Sequence, residues 1–147
     1  MRASWDVATG KGINMAVIDD GVDIDHEDLA PNAYPLESGY HANFNGGDEE
    51  DPRPQLGATH GTQCAGLALA RGFNNIGVIG VAPEARMMAL RLIDGEHTPD
   101  DEATAFLWQP EGLITHVSSN SWGPDDDGAN SGRLYDVAKA ALQTAVT

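Results

Sequence analysis

Short apolar runs alternate along the chain with longer segments that carry helix signals. The apolar runs have the length and composition of strands and lie at residues 13–19, 85–93 and 114–122. The helical patterns lie at residues 60–70, 99–108 and 132–146, and stretches rich in Gly, Pro, Asn and Asp occupy 20–57 and 123–132. This alternation predicts one α/β domain with a parallel sheet and helices on both faces. In such folds the chemistry lies at the carboxyl ends of the strands.

The charge balance of the chain is strongly acidic. Eight Lys and Arg stand against 23 Asp and Glu, which gives a formal net charge of −15. That charge opposes binding to nucleic acid and to anionic lipid, and it favours cationic partners, either metal ions or basic peptide segments. No stretch has the apolar length of a membrane span, so no membrane partner is expected. The single cysteine, Cys64, excludes an internal disulfide.

An aspartate pair, Asp19 and Asp20, directly follows the first predicted strand. Paired acids could hold Mg²⁺ in a phosphate-accepting pocket, but that pocket also needs a lysine, and no lysine lies at a suitable place. The second use of such a carboxylate is to orient a histidine base and to stabilise its imidazolium form. His60 opens a helical segment in which Gly61 and Gly66 allow close approach to the sheet. On spacing alone, a solvated histidine is the commoner interpretation.

Four sequence blocks carry more information than any single residue: NMAVIDDGVDIDHEDL, HGTQCAG, NNIGVIGVAPEARMMALRLIDGE and SNSWGPDDDG. In order and approximate spacing they resemble the subtilisin-like serine proteases of the S8 family, and most of all the kexin and proprotein-convertase branch. The resemblance implies a subtilisin-like fold in which Asp19 orients the catalytic histidine and His60 is the general base. It covers nearly the whole chain, so residues 1–147 are expected to be the N-terminal portion of a peptidase domain.

The family's nucleophilic serine lies in a GTSxxxP motif that this sequence does not contain. The resemblance therefore implies a serine endopeptidase whose serine belongs to a C-terminal half of the catalytic domain, and this chain alone is expected to be inactive. Cys64 lies one helical turn after His60, so a cysteine–histidine pair is an alternative. Residues at i and i+4 of one helix leave little room for a substrate carbonyl between them. We therefore interpret Cys64 as a small buried thiol.

Calcium is the cofactor that the resemblance implies. The segment RGFNNIGV at 71–78 is similar to the family's structural calcium loop, which offers the hard oxygen ligands that calcium prefers. The implied ligands are the Asp28 carboxylate, the Asn74 side chain and carbonyl oxygens of Arg71, Ile76 and Val78. A plain turn with a solvated asparagine is the alternative. The other four histidines lack the spacing of a transition-metal site.

Substrate binding in the family occurs by strand addition, in which an extended peptide pairs with an exposed edge and pockets contact alternate side chains. The residues that match this edge are Ser121, Trp122 and Gly123. The acids that match positions contacting basic substrate side chains in the convertases are Asp20, Asp94, Glu102 and Asp126. Thr59, Asn130 and Ser131 depart from the convertase pattern, which leaves the strictness of a basic specificity open.

The resemblance thus predicts a calcium-dependent serine endopeptidase that cleaves after basic residues and is secreted or extracytoplasmic. The alternative is a non-catalytic calcium-binding or peptide-binding module that has kept the subtilisin fold. The expected partners are a peptide or protein substrate and the C-terminal half of the catalytic domain. A sheet edge left without that half would also favour self-association of the chain.

Overall fold

A computed structural model of the chain describes residues 2–123 and 134–146. Within these ranges the elements follow in the order α1 (Arg2–Trp5), β1 (Asn14–Asp19), a 3₁₀ turn (Leu36–Ser38), β2 (Ala42–Asn43), α2 (His60–Leu69), β3 (Arg86–Arg91), α3 (Pro99–Phe106), β4 (Val117–Asn120) and α4 (Asp136–Ala145). Each strand and helix that the sequence predicts is present, with ends that differ by up to four residues. No sequence pattern predicts α1, β2 or the 3₁₀ turn, because each is too short to show a periodicity.

The four strands form a parallel sheet in the order β2-β3-β1-β4. Ile18 of β1 lies between Leu90 of β3 and Asn120 of β4. The predicted parallel α/β sheet is therefore confirmed. The short strand β2 extends the sheet by pairing Ala42 with Leu90 at the end of β3.

Successive residues of the two central strands point into two separate cores. Ile18 and Leu90 are fully buried on the face that α3 and α4 cover, whereas Val17 and Ala89 are buried on the face that α2 covers. The side chains alternate because a strand has a two-residue period. Burial on both faces explains why these strands appear in the sequence as continuous apolar runs. The prediction of helices on both faces is confirmed.

The last two helices differ in how well their sequences define them. α3 begins with Pro99 at its first position and a capping box between Thr98 and Asp101, so its predicted start is correct. α4 begins at Asp136, although the apolar pattern predicts a start at residue 132, and residues 132 and 133 lie outside the described part of the chain. Small alanines of α4 are buried in the core that α3 shares, while the larger Leu134 and Val137 are exposed. The predicted amphipathic face is thus only partly buried.

The strand β4 forms one edge of the sheet in the described part of the chain. It pairs with β1 along one side, and three of its four residues are exposed, including Val117 at 45%. Unpaired backbone groups on such an edge can accept a further strand. Within residues 2–123 and 134–146, no helix has both the length and the hydropathy needed to cross a bilayer.

Candidate active site

The carboxyl end of β1 and the first residue of α2 bring Asp19 and His60 into direct contact. The Nδ1 of His60 donates a hydrogen bond of 2.8 Å to Oδ1 of Asp19. The Asp19 side chain is 1% exposed, whereas the His60 side chain is 53% exposed. A buried carboxylate that accepts from Nδ1 fixes the tautomer and leaves Nε2 as the proton acceptor. The two residues predicted to be catalytic are therefore placed as a carboxylate–histidine pair.

Gly61 allows the first turn of α2 to lie against the end of β1. A Cβ atom at this position would overlap the carbonyl oxygen of Gly21 and would lie 2.8 Å from Cβ of Asp19. Any larger residue would push the helix away from the strand and would lengthen the Asp19–His60 hydrogen bond. The close approach of two backbones thus requires Gly61, whereas an added Cβ atom at Gly66 would have no neighbour within 4 Å, so the predicted role of Gly66 is wrong.

The environment of His60 raises the pKa of its imidazole. The largest cause is the hydrogen bond to Asp19, followed by the Asp19 charge, and the Asp20 charge adds a smaller contribution, while partial burial acts in the opposite direction. A raised pKa means that the site stabilises the imidazolium form. A half-exposed imidazole with a stabilised charged form has the properties of a general base.

Asp20 contacts the same histidine through the backbone. Its Oδ2 accepts from the His60 amide at 3.0 Å and its Oδ1 accepts from the Gly61 amide at 2.6 Å. The amide of Asp20 in turn donates to Oδ1 of Asp19 at 2.8 Å. Asp20 was predicted to contact basic substrate side chains, and that role stays a prediction.

Cys64 lies beside the imidazole. Its Sγ is 3.8 Å from Nε2 and 3.9 Å from Nδ1 of His60, and the residue is half-buried. The interpretation of a buried thiol is therefore wrong, because Cys64 shares the face of α2 that carries His60 and not the face that enters the core. Among the described residues, Asp19, His60 and Cys64 are the one group of three whose metal-ligating atoms lie within 4.8 Å of one another. The Asp19–His60 hydrogen bond already uses two of those atoms, so the group suits proton transfer better than metal binding.

The segment predicted to bind calcium packs onto Asp28. Asp28 is 3% exposed, and its Oδ2 accepts from the Val78 amide at 2.7 Å while its backbone oxygen accepts from the Arg71 amide at 2.8 Å. The structure therefore brings both ends of the loop to Asp28, the Val78 end to its carboxylate and the Arg71 end to its backbone oxygen. Oδ1 of Asp28 is buried and has no hydrogen-bond partner within the described chain. An ionised buried oxygen without a partner is costly, so this atom fits a cation ligand.

The centre of the same loop has a strained backbone. Phe73 and Asn75 adopt φ values of 63° and 60°, in the left-handed region that residues other than glycine rarely adopt. The side-chain oxygen of Asn74 accepts from the Ile76 amide at 3.2 Å. Gly77 passes so close to Asp28 that a Cβ atom there would overlap the carboxylate. The loop therefore keeps the predicted ligand residues next to one another, and their role in binding calcium stays a prediction.

Trp122 joins the predicted substrate segment to the sheet. Its Nε1 donates to the Ile18 carbonyl at 2.9 Å, and its ring stacks on Phe106 with centroids 6.0 Å apart. Ser121 and Gly123 flank it and are exposed. A cleft of about 680 Å³ opens beside these residues, and its lining includes Trp122, Gly123 and Glu102.

The predicted acids have different surroundings. Glu102 is 8% exposed; its Oε1 lies 3.2 Å from Nε2 of His97, and its Oε2 has no partner within residues 2–123 and 134–146. Asp94 lies 3.0 Å from Nε of Arg91, a close contact of opposite charges without a directed hydrogen bond. Asp126 lies outside the described residues.

Sequence reasoning missed Arg91 and His97 as the neighbours of these acids. A charged residue such as Arg91 inside an apolar strand could have indicated a neighbouring acid, since a buried charge needs a partner. The spacing of His97 and Glu102 carries no such signal.

Comparison with known proteins gives one family for nearly the whole chain. The sequence profile described as "Subtilase family" matches residues 10–146. The chain is 41% identical over 142 residues to human "Proprotein convertase subtilisin/kexin type 7", a match that covers 94% of this chain and 17% of the relative. It is 36% identical over 140 residues to kexin of Saccharomyces cerevisiae, covering 95% of this chain and 16% of the relative.

Solved structures give the same result for the fold. A protease from Pseudoalteromonas arctica superposes with a TM-score of 0.74 at 29% identity, over 97% of this chain and 48% of that chain. The chain spans less than a fifth of the two curated relatives and about half of that structure.

Proposed function

The chain belongs to the Subtilase family, and on that basis we propose that the protein is a serine endopeptidase to which this chain contributes the aspartate and histidine of the catalytic triad. The observation that carries the proposal is the 2.8 Å hydrogen bond between His60 and a fully buried Asp19. In this proposal residues 1–147 are the N-terminal portion of the peptidase domain, and the nucleophilic serine lies in the C-terminal half.

The proposed reaction begins when Nε2 of His60 takes the proton of the serine hydroxyl as the serine oxygen attacks the scissile carbonyl carbon. Asp19 stabilises the imidazolium form by its charge and by the hydrogen bond to Nδ1. The imidazolium then gives the proton to the leaving amine when the peptide bond breaks. A water molecule then attacks the acyl-enzyme while His60 takes its proton. His60 returns the proton to the serine oxygen, and the bond between that oxygen and the acyl group breaks to release the second product.

A fluorophosphonate probe tests where the nucleophile lies. The 147-residue chain alone is expected to remain unlabelled, and the same chain joined to the rest of its protein is expected to be labelled at one serine. Labelling of the chain alone at any serine would contradict the proposal. If the complete protein also stays unlabelled, the alternative of a non-catalytic calcium-binding or peptide-binding module is favoured.

Calcium is the proposed cofactor. Asp28, Asn74 and carbonyl oxygens of Arg71, Ile76 and Val78 would hold it, and the buried, unpartnered Oδ1 of Asp28 supports this assignment. When bound, the ion would neutralise that carboxylate and cross-link the loop to the rest of the fold. A ligand that binds only the folded state adds about 2.7 kcal/mol at 100 times its dissociation constant.

Thermal unfolding in calcium and in chelator tests this assignment. We expect a higher midpoint in calcium, and we expect Asp28→Asn to lose that difference. Asp48→Asn, on a different surface loop, should keep it. An equal midpoint in calcium and chelator for the unsubstituted protein would overturn the assignment.

The proposed substrate is an extended peptide with a basic residue before the scissile bond. It would add to the chain at residues 121–123, with Asp94, Glu102 and Asp126 near its basic side chains. The unpartnered Oε2 of Glu102 beside the cleft supports a cationic ligand there. A charged hydrogen bond is worth about 1.5 to 3 kcal/mol, or roughly 10-fold to 150-fold in rate.

Peptides that differ only in the residue before the scissile bond test this specificity on the complete protein. We expect faster cleavage after Arg than after Leu, and we expect Asp126→Asn to reduce the ratio. Equal rates for Arg and Leu would rule out a basic pocket.

The exposed β4 edge is the proposed contact with the C-terminal half. The half-exposed Val117 and the one-sided pairing of β4 support this contact. The 147-residue chain by itself should therefore self-associate, and light scattering that shows a monomer over a wide concentration range would contradict it. We also propose a secreted or extracytoplasmic location, which fractionation of cells that produce the complete protein would test.

A further inference from the structure

Asp20 and Asp19 hold His60 from two directions. Asp19 binds the imidazole, while the two carboxylate oxygens of Asp20 bind the backbone amides of His60 and Gly61 at 3.0 and 2.6 Å. The Asp20 amide closes the arrangement by donating to Asp19 Oδ1, the same atom that accepts from His60. The position of the histidine is thus fixed at both its ring and its main chain by consecutive residues of one strand end.

The helix that carries His60 has no cap of its own. The residue before it, Thr59, makes no side-chain capping hydrogen bond, and the first turn of α2 contains no acid. The first amides of a helix have no partner inside the helix, and they carry the positive end of its dipole. Asp20 supplies acceptors for two of these amides and also the favourable negative charge, although it lies 40 residues before His60 in the sequence.

We infer that Asp20 is a positioning residue for the catalytic base, acting through the backbone amides at the start of α2. The inference rests on the proposed function for its catalytic consequence, but the hydrogen bonds can be tested without any reaction. The competing assignment makes Asp20 a contact for a basic side chain of the substrate. In the structure both of its oxygens are already engaged by amides, so a substrate cation would have to share them.

Gly61 makes the position of His60 sensitive to this contact. Since α2 lies against the Gly21 carbonyl and the Asp19 side chain at Gly61, its first turn has little freedom to shift towards the strand. Loss of the Asp20 acceptors would let it move outward, away from Asp19. A displacement of about 1 Å at a catalytic group can cost on the order of 10²-fold in rate.

Within residues 2–123 and 134–146, the ionisable groups that contact His60 or act on its charge are Asp19, Asp20 and Cys64. Removing the Asp20 charge should lower the pKa of the His60 imidazole, since that charge raises it. The direction of this change distinguishes a residue next to the base from a residue that only supports the fold.

The first experiment needs no catalytic activity. In the unsubstituted protein, NMR should detect a through-hydrogen-bond coupling between the Gly61 amide nitrogen and the Asp20 carboxylate carbon. Hydrogen exchange at the His60 and Gly61 amides should be faster in Asp20→Asn, which keeps the side-chain size but replaces one acceptor with an NH₂ group. Asp6→Asn removes the same charge from an exposed turn and should leave both amides unchanged. Absence of the coupling, or unchanged exchange in Asp20→Asn, would overturn the inference.

The second experiment uses the kinetics of the complete protein. We expect Asp20→Asn to lower kcat by roughly 10²-fold with little change in KM, equally for peptides with neutral and with basic side chains. Asp20→Glu keeps the charge but moves the carboxylate, so it should recover the pKa of His60 better than it recovers kcat. A higher KM confined to basic peptides, with kcat unchanged, would make Asp20 a substrate contact and overturn the inference. If the unsubstituted complete protein cleaves no peptide, the proposed function fails, and the NMR result still decides the contact.

Discussion

His41 and His60 both lie at the sheet and both hydrogen-bond through ring nitrogens, yet their surroundings are opposite. His41 directly precedes β2 and is 2% exposed; its Nδ1 accepts from the Ala89 amide at 3.0 Å and its Nε2 donates to the Tyr34 carbonyl at 2.9 Å. His60 is half-exposed and donates to a carboxylate. The ring of His41 hydrogen-bonds two backbone groups beside the start of the short strand β2, whereas the ring of His60 faces the solvent beside a charged carboxylate.

The pKa values of the two imidazoles move in opposite directions. Burial lowers the pKa of His41, and its two backbone hydrogen bonds only partly oppose this effect. The Asp19 hydrogen bond and charge raise the pKa of His60. Both rings are well hydrogen-bonded, so the charge of the partner and the access of water decide which one can carry a proton. Electrostatics therefore distinguishes the structural histidine from the candidate base.

The largest expected effect removes the charge that distinguishes His60. Asp19→Asn presents an amide to Nδ1 and favours the wrong imidazole tautomer, so kcat of the complete protein should fall by about 10⁴-fold. The pKa of His60 should fall as well. Peptide cleavage and a histidine NMR titration measure the two effects, with Asp6→Asn as the charge-matched control. Activity within a few-fold of the unsubstituted protein would show that Asp19 does not orient the base.

Asp19 and His60 could be predicted because each lies inside a sequence block that resembles a known family, whereas spacing alone favoured a solvated histidine. DDG supplies both carboxylates, and HG supplies the imidazole together with the residue that permits close packing. The strands β1 and β3 were predictable for a different reason, since burial on both faces produces apolar runs.

The role of His41 could not be predicted. Its two partners are backbone groups, which have the same chemistry in every residue. The strand β2 has only two residues, too few to show alternating apolar and polar side chains. Arg91 and Asp94 illustrate a partial limit: the charge of Arg91 in an apolar strand indicates a neighbouring acid, but which acid it is depends on the path of the backbone. Local patterns predict elements and motif contacts, whereas contacts to backbone and contacts across loops require the fold itself.

The second prediction removes the ring of the structural histidine. His41→Ala leaves the Ala89 amide and the Tyr34 carbonyl buried without partners, and each such group costs about 1 to 3 kcal/mol. The free energy of unfolding should therefore fall by about 3 kcal/mol, as measured by urea denaturation. His116→Ala is the matched control, because His116 also accepts a backbone amide, from Asn14, but is exposed. If both variants lost the same free energy of unfolding, burial of the ring would not explain the contribution of His41 to stability.

The third prediction concerns the dependence of stability on pH. Because the pKa of His41 is lower in the folded state than its ordinary value of 6.5, the unfolded chain binds a proton first as the pH falls. Stability that is complete above that value should thus be lost as the pH drops below it, by at most about 1.4 kcal/mol per pH unit for one group. The charges of Arg53 and Asp51 also act on this ring, in opposite directions.

Denaturation series from about pH 8 to about pH 5 measure this slope. His41→Gln, which keeps a donor and an acceptor but does not titrate, should flatten it. A slope that survives in His41→Gln would assign the acid sensitivity to other groups, such as the carboxylates.

The smallest expected effect is the contribution of His60 to stability, and its sign is opposite. Since the pKa of His60 is raised in the folded state, its protonation stabilises the fold at low pH, and that stabilisation disappears as the pH rises through the folded pKa. The ring is half-exposed, so water screens the interaction and the contribution to folding should be small. His60→Gln should therefore change the unfolding free energy little at any pH and leave the acid slope intact, while abolishing peptide cleavage by the complete protein. If His60→Gln instead removed the acid slope and His41→Gln did not, the assignment of one ring to folding and the other to proton transfer would have to be reversed.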